Sequence, residues 1–289
     1  MSVSAGIAAV DMDGPSRDGI AEFFARVTLA AGPAVMAEYR TNCAVRAKKD
    51  ASPVTIADEK AEEVILALLR AQASAIPIVA EESTARGALT AVGRSFILVD
   101  PLDGTREFIA GNGEFTINVA LVRDGAVVAG AVYAPALARL WFGGERAFAC
   151  DAPVGAPLAE KSSWRPIASR SAPTQELVAL ASRSHCDAAT EAFLSQLPIA
   201  ERRSAGSSLK FCALAEGVAD VYPRFAPTME WDTAAGDAVL RAAGGAVLAV
   251  EGGALRYGKK ESDFRNGGFI AWGDPGRAED ARMLNAAST

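Results

Sequence analysis

The spacing of the apolar residues changes near Phe96, and this change constrains the fold more than any other feature of the sequence. Before it, residues 20–30 and 52–73 carry apolar side chains at intervals typical of α-helices. After it, the alternation of Phe115–Val122 is typical of a strand, and Arg123–Gly125 indicates a hairpin turn. The first half of the chain is therefore predicted to pack helices on an antiparallel sheet.

The two helical segments carry signals that predict where they begin and end. Asp18 is a candidate cap for the first helix, and Gly32-Pro33 should kink or interrupt that helix. Thr55 and Asp58 are candidate caps for the second helix.

A stretch rich in Pro, Ser and Ala, residues 151–175, predicts a domain boundary. We place an N-terminal α+β part at residues 1–165 and a C-terminal α/β part at residues 166–289. The second part alternates predicted strands, such as 177–184, with predicted helices, and this alternation is typical of α/β folds. Together the two parts predict a layered sandwich of alternating helices and sheets.

The composition excludes several classes of function. The chain has 289 residues, 50% of them hydrophobic, which is enough for a substantial core. A net charge of −6 and a pI of about 5.1 argue on electrostatic grounds against a binder of nucleic acid polymers. The apolar runs are shorter than the roughly 18 residues that a membrane span needs, and the N-terminus lacks the basic region of a secretory signal. We therefore expect a cytoplasmic protein with no integral membrane segment.

Cysteine and histidine usage narrows the chemistry further. Cys43, Cys150, Cys186 and Cys212 are widely separated and include no C-x-x-C pair, so reduced thiols are expected. The single histidine, His185, argues against Ser-His-Asp and Cys-His machinery unless His185 is itself the base. It also argues against a zinc site built from histidines.

Two carboxylates follow the buried strand that begins at Phe96. Asp100 and Asp103 lie in the turn after this strand, where Pro101 should end the strand pairing and Gly104 permits an unusual backbone conformation. Two carboxylates three residues apart in one turn repel each other unless a cation lies between them. The turn is therefore a candidate metal site.

Further carboxylates occupy the ends of other predicted elements. Glu81 follows a short strand at residues 76–80, and Asp58 and Asp232 lie at predicted helix starts. Oxygen ligands without histidine or cysteine indicate a hard cation such as Mg²⁺ or Mn²⁺. Two such ions sharing Asp100 would match the two-metal arrangement used for phosphate displacement.

Each of these residues also has a simpler interpretation. Asp103-Gly104 is a common turn sequence, and Asp232 would serve as an ordinary helix cap. Lys210 would be a solvated residue on a helix face, and Arg224 an ion-pair partner. On spacing alone, both interpretations stay open.

The motifs together are similar to a known family. AEES (80–83), DPLDGTREF (100–108) and EWDTAAGDAVLRAAGG (230–245) resemble the hallmark of the inositol monophosphatase superfamily, which is D-P-[ILV]-D-G-T with an upstream G/S-E-E and a downstream W-D-x-A-[AG]. Other segments, such as KKDASPVTIAD (48–58) and GSSLKFCALAEGVADVYPRFAPT (206–228), are more similar to its CysQ-type branch of 3'(2'),5'-bisphosphate nucleotidases. The resemblance implies the sugar phosphatase fold shared with fructose-1,6-bisphosphatases.

The resemblance also implies roles for individual residues. The ligands of two or three Mg²⁺ ions would be Glu81, Asp100, the backbone carbonyl of Leu102, Asp103 and Asp232. Asp58 and Thr105 would orient and activate the attacking water, and Glu81, Asp100 and Asp103 would complete the catalytic set.

The expected substrate contacts lie mainly in the second half of the chain. They are Gly104, Thr105, Ser207, Ser208, Lys210, Arg224 and Asp232, together with the segment Ser182–His185. Lys210 or Arg224 would supply the cation that a second phosphate requires.

The activity implied is Mg²⁺-dependent hydrolysis of adenosine 3',5'-bisphosphate to AMP and phosphate, a step that clears a by-product of sulfate assimilation. The alternative is an inositol monophosphatase or another small sugar-phosphate phosphatase of the same superfamily. A third reading, a non-catalytic metal- or nucleotide-binding protein, would be favoured by loss of site residues, yet Asp100, Asp103, Thr105 and Asp232 are all present. The resemblance implies lithium sensitivity, and it leaves open a homodimer and peripheral association with the inner membrane.

Overall fold

The computed structural model describes residues 12, 14, 16–39, 45–47, 53–88, 91–181 and 187–277. These residues form the helices α1 Arg17–Tyr39, α2 Ile56–Gln72, α3 Glu81–Ala85, α4 Thr105–Ala110, α5 Ala188–Ser195, α6 Leu209–Ala215 and α7 Glu230–Ala242. The strands of the first half are β1 Val45–Ala47, β2 Pro53–Thr55, β3 Ile78–Ala80, β4 Ser95–Asp103, β5 Thr116–Arg123, β6 Ala126–Ala134, β7 Arg139–Gly143, β8 Ala147–Asp151 and β9 Arg165–Ile167. Those of the second half are β10 Leu177–Ala181, β11 Ile199–Ser204, β12 Val221–Arg224, β13 Thr228–Met229, β14 Ala246–Ala249, β15 Arg265–Asn266 and β16 Phe269–Trp272.

Strands β3 to β9 form a seven-stranded sheet in chain order. Every neighbouring pair in it is antiparallel except β3 and β4, which are parallel. Ile117, Val119 and Leu121 of β5 share a core with α1 and α2, whereas Ala120 and Val122 share a core with α6 and α7. The predicted alternation of β5 is confirmed, and both of its faces are covered by helices.

The second sheet has five strands in the order β11-β10-β12-β16-β14. Strands β11, β10 and β12 are parallel, and β16 is antiparallel to both of its neighbours. Val178 and Leu180 face the core that contains α6 and α7, while Leu177 and Ala179 face Phe193 of α5. Helices and sheets therefore alternate in layers, as the sequence predicts.

Two glycines of the seven-stranded sheet allow α7 to approach it closely. A Cβ atom on Gly130 would lie 2.9 Å from the Cα of Ala235, and one on Gly143 would lie 2.8 Å from the Cβ of Ala242. Any side chain at these positions would force the helix away from the sheet. The sheet thereby fixes the position of α7, whose first turn carries Asp232.

The ends of the first two helices differ in part from the prediction. Helix α1 continues through Pro33, and Asp18 lies inside its first turn, so Gly32-Pro33 does not interrupt the helix and Asp18 is not its cap. The Asp18 carboxylate instead accepts hydrogen bonds from the backbone N–H groups of Glu145 and Arg146. Thr55 is the cap of α2, as predicted.

Strand β4 extends further than expected, and a helix follows β3. Pro101 does not end β4; it shifts the pairing register with β5 between Asp100 and Asp103, and the strand continues to Asp103. The glutamates after β3 are not a simple strand end, because Glu81 begins the short helix α3. Because β3 and β4 are parallel neighbours, this helix start lies at the same edge of the sheet as the end of β4.

Among the described residues, helix α1 is the one helix that is long and apolar enough, by length and composition alone, to cross a membrane. In the structure, 67% of its apolar window is buried. Its side chains Phe23, Phe24 and Val27 are fully buried in the core that includes α2. This burial is typical of a core helix in a globular protein.

Candidate active site

A cavity of about 260 Å³ lies where the end of β4 meets the first turns of α3, α6 and α7. The acidic wall of the cavity consists of the predicted residues Glu81, Asp100, Asp103 and Asp232, and the basic wall contains Lys210 and Arg224. The lining residues used below are Glu81, Asp100, Leu102, Asp103, Gly104, Thr105, Glu107, Ser207, Lys210, Tyr222, Arg224, Thr228 and Asp232. Residues from both halves of the chain therefore meet in one pocket.

The acidic residues of this pocket lie at the ends of strands and in the first turns of helices. Strands β3 and β4 are parallel neighbours, so the carboxyl end of β3, followed by Glu81, lies beside the end of β4 with Asp100 and Asp103. Gly104 has φ +90°, a conformation that favours glycine, and it turns the chain directly into α4. Asp232 arrives from the other side, in the first turn of α7.

Asp58 and Thr105 lie together behind the carboxylates of β4. Asp58 is 1% exposed, and its Oδ2 accepts hydrogen bonds from the backbone N–H and the hydroxyl of Thr55, each at 2.7 Å. Thr105 Oγ1 lies 3.4 Å from Asp58 Oδ1 and 3.3 Å from the carbonyl oxygen of Leu102. The hydroxyl has one proton and can donate to only one of these acceptors at a time.

The carboxylates of the pocket are electrostatically unfavourable to one another. Burial raises the pKa of Asp100 well above its usual range, and the charges of Glu81 and Asp103 add to this rise. Burial and the charge of Asp103 raise the pKa of Asp232 in the same way. The pKa of Asp103 is raised by burial to about 6, although the charge of Lys210 opposes the rise. A cation among these groups would relieve this repulsion.

The donor set suits a hard cation, although the side chains are not arranged around one point. Across the described ranges, no group of three or more Asp, Glu, His or Cys side chains stands in ready-made ligand geometry. Asp100 Oδ1 instead accepts a hydrogen bond from the Leu102 N–H at 3.0 Å, and Asp232 Oδ2 accepts one from the Met229 N–H at 2.9 Å. Each of these carboxylates keeps its second oxygen for a ligand, and Mg²⁺ prefers oxygen donors of this kind.

A buried glutamate that sequence reasoning missed holds the first turn of α3. Glu62 is 1% exposed and accepts hydrogen bonds from the Glu82 N–H at 2.8 Å and from the Ser83 hydroxyl at 2.6 Å. Arg86 donates to the same carboxylate at 3.1 Å. In the sequence, Glu62 looks like one of several helix-surface acids, and no local signal separates it from Glu63.

Lys210 lies in the basic wall, and its ammonium group is largely committed to the backbone. It is 3% exposed, and its Nζ donates to the carbonyl oxygens of Ala205 at 3.0 Å and Ser207 at 2.7 Å. Burial lowers the pKa of Lys210 to about 8, while the charge of Asp103 opposes this shift. Because an ammonium carries three protons, one donor remains for an anion.

The other predicted substrate contacts differ in whether they line the cavity. Ser207, with φ +44°, and Arg224 both line the cavity. The Oγ of Ser207 and the Nε of Arg224 are buried and have no hydrogen-bond partner within the described part of the chain. Ser208 is 1% exposed and does not line the cavity; its hydroxyl donates to the carbonyl of Asp232 at 2.9 Å.

The remaining predicted segment, Ser182–His185, lies outside the described residues. Thr228, which the sequence analysis did not single out, also lines the cavity. Asp237 of α7 does not line the cavity: it is fully buried and is paired with Arg241 at 2.6 Å and with the Tyr257 hydroxyl at 2.9 Å.

Comparison with known proteins agrees with this architecture. The model of the inositol monophosphatase family matches residues 17–287. The chain is 43% identical over 241 residues to the 3'(2'),5'-bisphosphate nucleotidase CysQ of Shigella flexneri, covering 83% of this chain and 94% of that protein. It is 41% identical over 223 residues to the CysQ nucleotidase of Salmonella typhimurium, covering 77% and 86% of the two chains.

Solved structures give the same result. The crystal structure of CysQ from Bacteroides thetaiotaomicron matches with a TM-score of 0.74 and 37% identity, covering 89% of this chain and 98% of that one. An inositol monophosphatase from Zymomonas mobilis matches with a TM-score of 0.72 at 23% identity, covering 93% and 98% of the two chains, which shows a shared fold. The family match over nearly the whole length and the identities above show that this chain belongs to the inositol monophosphatase family.

Proposed function

We propose that the protein is a Mg²⁺-dependent phosphomonoesterase that hydrolyses the 3'-phosphate of adenosine 3',5'-bisphosphate, giving AMP and phosphate. The observation that carries the proposal is one pocket in which buried carboxylates face a basic wall containing Lys210 and Arg224. The similarity to CysQ bisphosphate nucleotidases supports the choice of substrate. We assign the reaction to the removal of a by-product of sulfate assimilation, in the cytoplasm.

The acidic wall would bind the metal. Glu81, Asp100 and Asp103, with Asp232 and the carbonyl of Leu102, would hold two or three Mg²⁺ ions, and burial together with the charges of neighbouring carboxylates raises the pKa of Asp100. When bound, the ions would neutralise the phosphate oxygens and lower the pKa of the attacking water. This role supplies the cation that the mutual repulsion of the carboxylates requires.

The chain would position the attacking water through Thr105. The Thr105 hydroxyl is placed to donate to Asp58 or to Leu102, so its oxygen can accept a hydrogen bond from a water in the cavity. Asp58 is held by its two bonds from Thr55 and would accept the proton released during attack. Neither step needs a histidine, which agrees with a chain that has only one.

The basic wall would bind the part of the substrate that is not cleaved. A second phosphate is a dianion and favours charged donors. Arg224 offers a guanidinium at the cavity, and Lys210 offers its one uncommitted proton. Ser207 completes this wall. An inositol monophosphate has no second phosphate, so it would leave this wall without an anionic partner.

The test is phosphate release with Mg²⁺ from adenosine 3',5'-bisphosphate and from inositol 1-phosphate, measured side by side as kcat/KM. We expect the nucleotide to be preferred by about a hundredfold, equivalent to about 2.7 kcal/mol of transition-state discrimination. Equal or better turnover of inositol 1-phosphate would transfer the assignment to the inositol monophosphatases. Metal binding without turnover of either ester would favour a non-catalytic binding protein.

A further inference from the structure

A buried asparagine and a buried serine connect two parts of the acidic wall, Asp103 and the backbone of Asp232. Asn118 of β5 is 1% exposed, and its Nδ2 donates to the hydroxyl oxygen of Ser208 at 3.1 Å. The same Nδ2 lies 3.4 Å from Oδ2 of Asp103. Ser208 in turn donates from its hydroxyl to the carbonyl oxygen of Asp232 at 2.9 Å. A continuous chain of polar contacts therefore connects Asp103 with Asp232.

This chain spans elements that are far apart in the sequence. Asp103 ends β4, Asn118 lies on β5, and Ser208 precedes the first residue of α6. Asp232 belongs to the first turn of α7. The contacts therefore tie the Asp103 carboxylate of the seven-stranded sheet to the backbone of Asp232 in a helix that covers the sheet.

Asn118 is energetically unfavourable for the strand that contains it. Its neighbours Ile117 and Val119 are fully buried, and its own Oδ1 is a buried acceptor without a partner in the described residues. An unpaired buried acceptor typically costs about 1–3 kcal/mol. An apolar residue would suit the strand better, so folding stability alone does not account for an amide at this position.

Ser208 contacts both carboxylate segments. Hydrogen bonds from Ser208 to Asp103 oppose the rise in the pKa of Asp103 that burial causes. A hydroxyl has one proton, so Oγ can donate either to Asp103 or to the carbonyl of Asp232. The bond from Asn118 occupies an acceptor position on Oγ and thereby limits the directions in which the hydroxyl can donate. The Asn118 amide orientation that allows this bond also directs a donor, not an acceptor, towards the Asp103 carboxylate.

We propose that Asn118 and Ser208 are positioning residues that fix the separation of Asp103 and Asp232, and through it the affinity of the pocket for a divalent cation. The inference rests on the proposed metal-binding role of these two carboxylates. Neither Asn118 nor Ser208 would contact the ion. Groups that orient metal ligands in this way typically change metal affinity by 10- to 100-fold when removed.

The experiment measures Mn²⁺ and Mg²⁺ binding to the full chain without substrate, by calorimetry and by the electron paramagnetic resonance of free Mn²⁺. The variants are Asn118→Ala, Ser208→Ala and the double variant. Thr116→Val is the matched control, because the Thr116 hydroxyl lies on the same strand, is buried and has no hydrogen-bond partner within the described residues. Melting of each metal-free variant separates positioning from unfolding.

We expect each single variant to bind the metal at least about 10-fold more weakly than the wild type. The double variant should be no weaker than the weaker single variant, because both substitutions break the same chain of contacts. Thr116→Val should bind as the wild type does. At saturating metal, KM for the phosphate ester should return to the wild-type value, because these substitutions leave the basic wall unchanged.

Unchanged metal affinity in a folded Asn118→Ala protein, or additive losses in the double variant, would overturn the inference and leave the proposed function standing. If Asn118→Ala does not fold, Ser208→Ala decides by the same criterion. A wild-type protein that binds neither ion would overturn both this inference and the metal-dependent function.

Discussion

Oγ1 of Thr105 lies 3.4 Å from Oδ1 of Asp58, a residue 47 positions earlier in the chain. The other oxygen of Asp58 is occupied by the N–H and the hydroxyl of Thr55, which it holds at the start of α2. Asp58 therefore belongs both to the cap of α2 and, with Thr105, to the predicted water-activating pair. Asp58 is positioned by a helix that the core fixes in place, and its Oδ1 is directed at Thr105.

Removing the Thr105 hydroxyl should impair the chemical step rather than folding. For Thr105→Val, we expect kcat to fall by about 100-fold or more, with little change in KM, because general acid–base groups typically contribute this much. The measurement is steady-state phosphate release with a thermal melt of the same sample. Thr190→Val is a suitable control, since this buried hydroxyl of α5 has no hydrogen-bond partner in the part of the chain described. A variant with wild-type kcat would exclude Thr105 from the reaction.

Replacing Asp100 by Asn should abolish turnover and leave the fold intact. Burial and neighbouring carboxylates disfavour the charge of Asp100, so the neutral amide should keep or raise the melting temperature of the metal-free protein. The loss of the central ligand should lower kcat/KM by about 1,000-fold or more. Phosphate release and a melting curve without metal test the two halves of this prediction. Substantial activity in a folded variant would remove Asp100 from the site.

Lys210 should make substrate binding sensitive to alkaline pH. Burial lowers the pKa of Lys210 to about 8, so the side chain is charged below pH 8 and loses its proton as the pH rises through this value. We expect KM for adenosine 3',5'-bisphosphate to rise above pH 8, and to rise much less for a monophosphate ester.

The control for this pH effect is Lys210→Met, which lacks the titrating group. It should have a raised KM for the bisphosphate at pH 7 and a flatter pH profile above pH 8. The same substitution also removes two bonds to the loop carbonyls of Ala205 and Ser207. Equal changes in KM for the bisphosphate and the monophosphate ester would show that Lys210 supports the loop and does not read the second phosphate.

Lithium should inhibit the enzyme. Li⁺ is a small hard cation that suits oxygen ligands, and it would enter one of the Mg²⁺ positions without supplying the charge of a divalent ion. Phosphate release should fall as LiCl is raised at fixed Mg²⁺, while KCl at the same ionic strength should have little effect. Insensitivity to Li⁺ would place the protein outside the lithium-sensitive branch of the family.

Breaking the buried ion pair between Asp237 and Arg241 of α7 should destabilise the fold. Asp237 has no exposed surface and accepts bonds from Arg241 and the Tyr257 hydroxyl. In Asp237→Ala, both donors lose their partner, and we expect unfolding by urea to become easier by about 2–4 kcal/mol. Asp237→Asn retains an acceptor and should lose less. An unchanged midpoint in Asp237→Ala would show that this network contributes little to stability.

The sequence predicted elements best where local patterns and tertiary structure agree. Helix α2 has helical spacing, a Thr55 cap and acidic residues in its first turn, and β5 alternates clearly. Strand β11 was missed because its sequence, IAERRS, is polar and its residues lie at the edge of the five-stranded sheet. An edge strand with one neighbour carries no strong alternation, so the sequence contains little signal for it.

Proline was the main source of error along the chain. Pro33 was expected to disturb α1 and Pro101 to end β4, yet both elements continue. At position 33 the helix is held by burial on the core side, where Gly32 lies against Tyr133. At position 101 the strand accommodates the missing N–H by a shift in register. In both cases tertiary packing outweighed the local preference.

The sequence located the acidic wall but not its supports. The sequence placed Glu81, Asp100 and Asp103 at or after the ends of two strands, and the parallel pairing of β3 with β4 makes those strand ends neighbours. Asn118 and Glu62 could not be found, because each acts through contacts with segments remote in the sequence. A polar residue in an apolar strand was the only local signal for Asn118.

The close seating of α7 over Gly130 and Gly143 has a consequence for the order in which the protein is made. The groove that receives α7 is complete once β7 has been synthesised, whereas the helix itself emerges nearly ninety residues later. A ribosome that adds up to about 20 residues per second needs about four seconds or more to synthesise these intervening residues. During that interval the part of the sheet that α7 covers is without this helix, and the pocket is without Asp232. A nascent chain therefore acquires the last of the predicted carboxylate ligands and buries this part of the sheet in the same event.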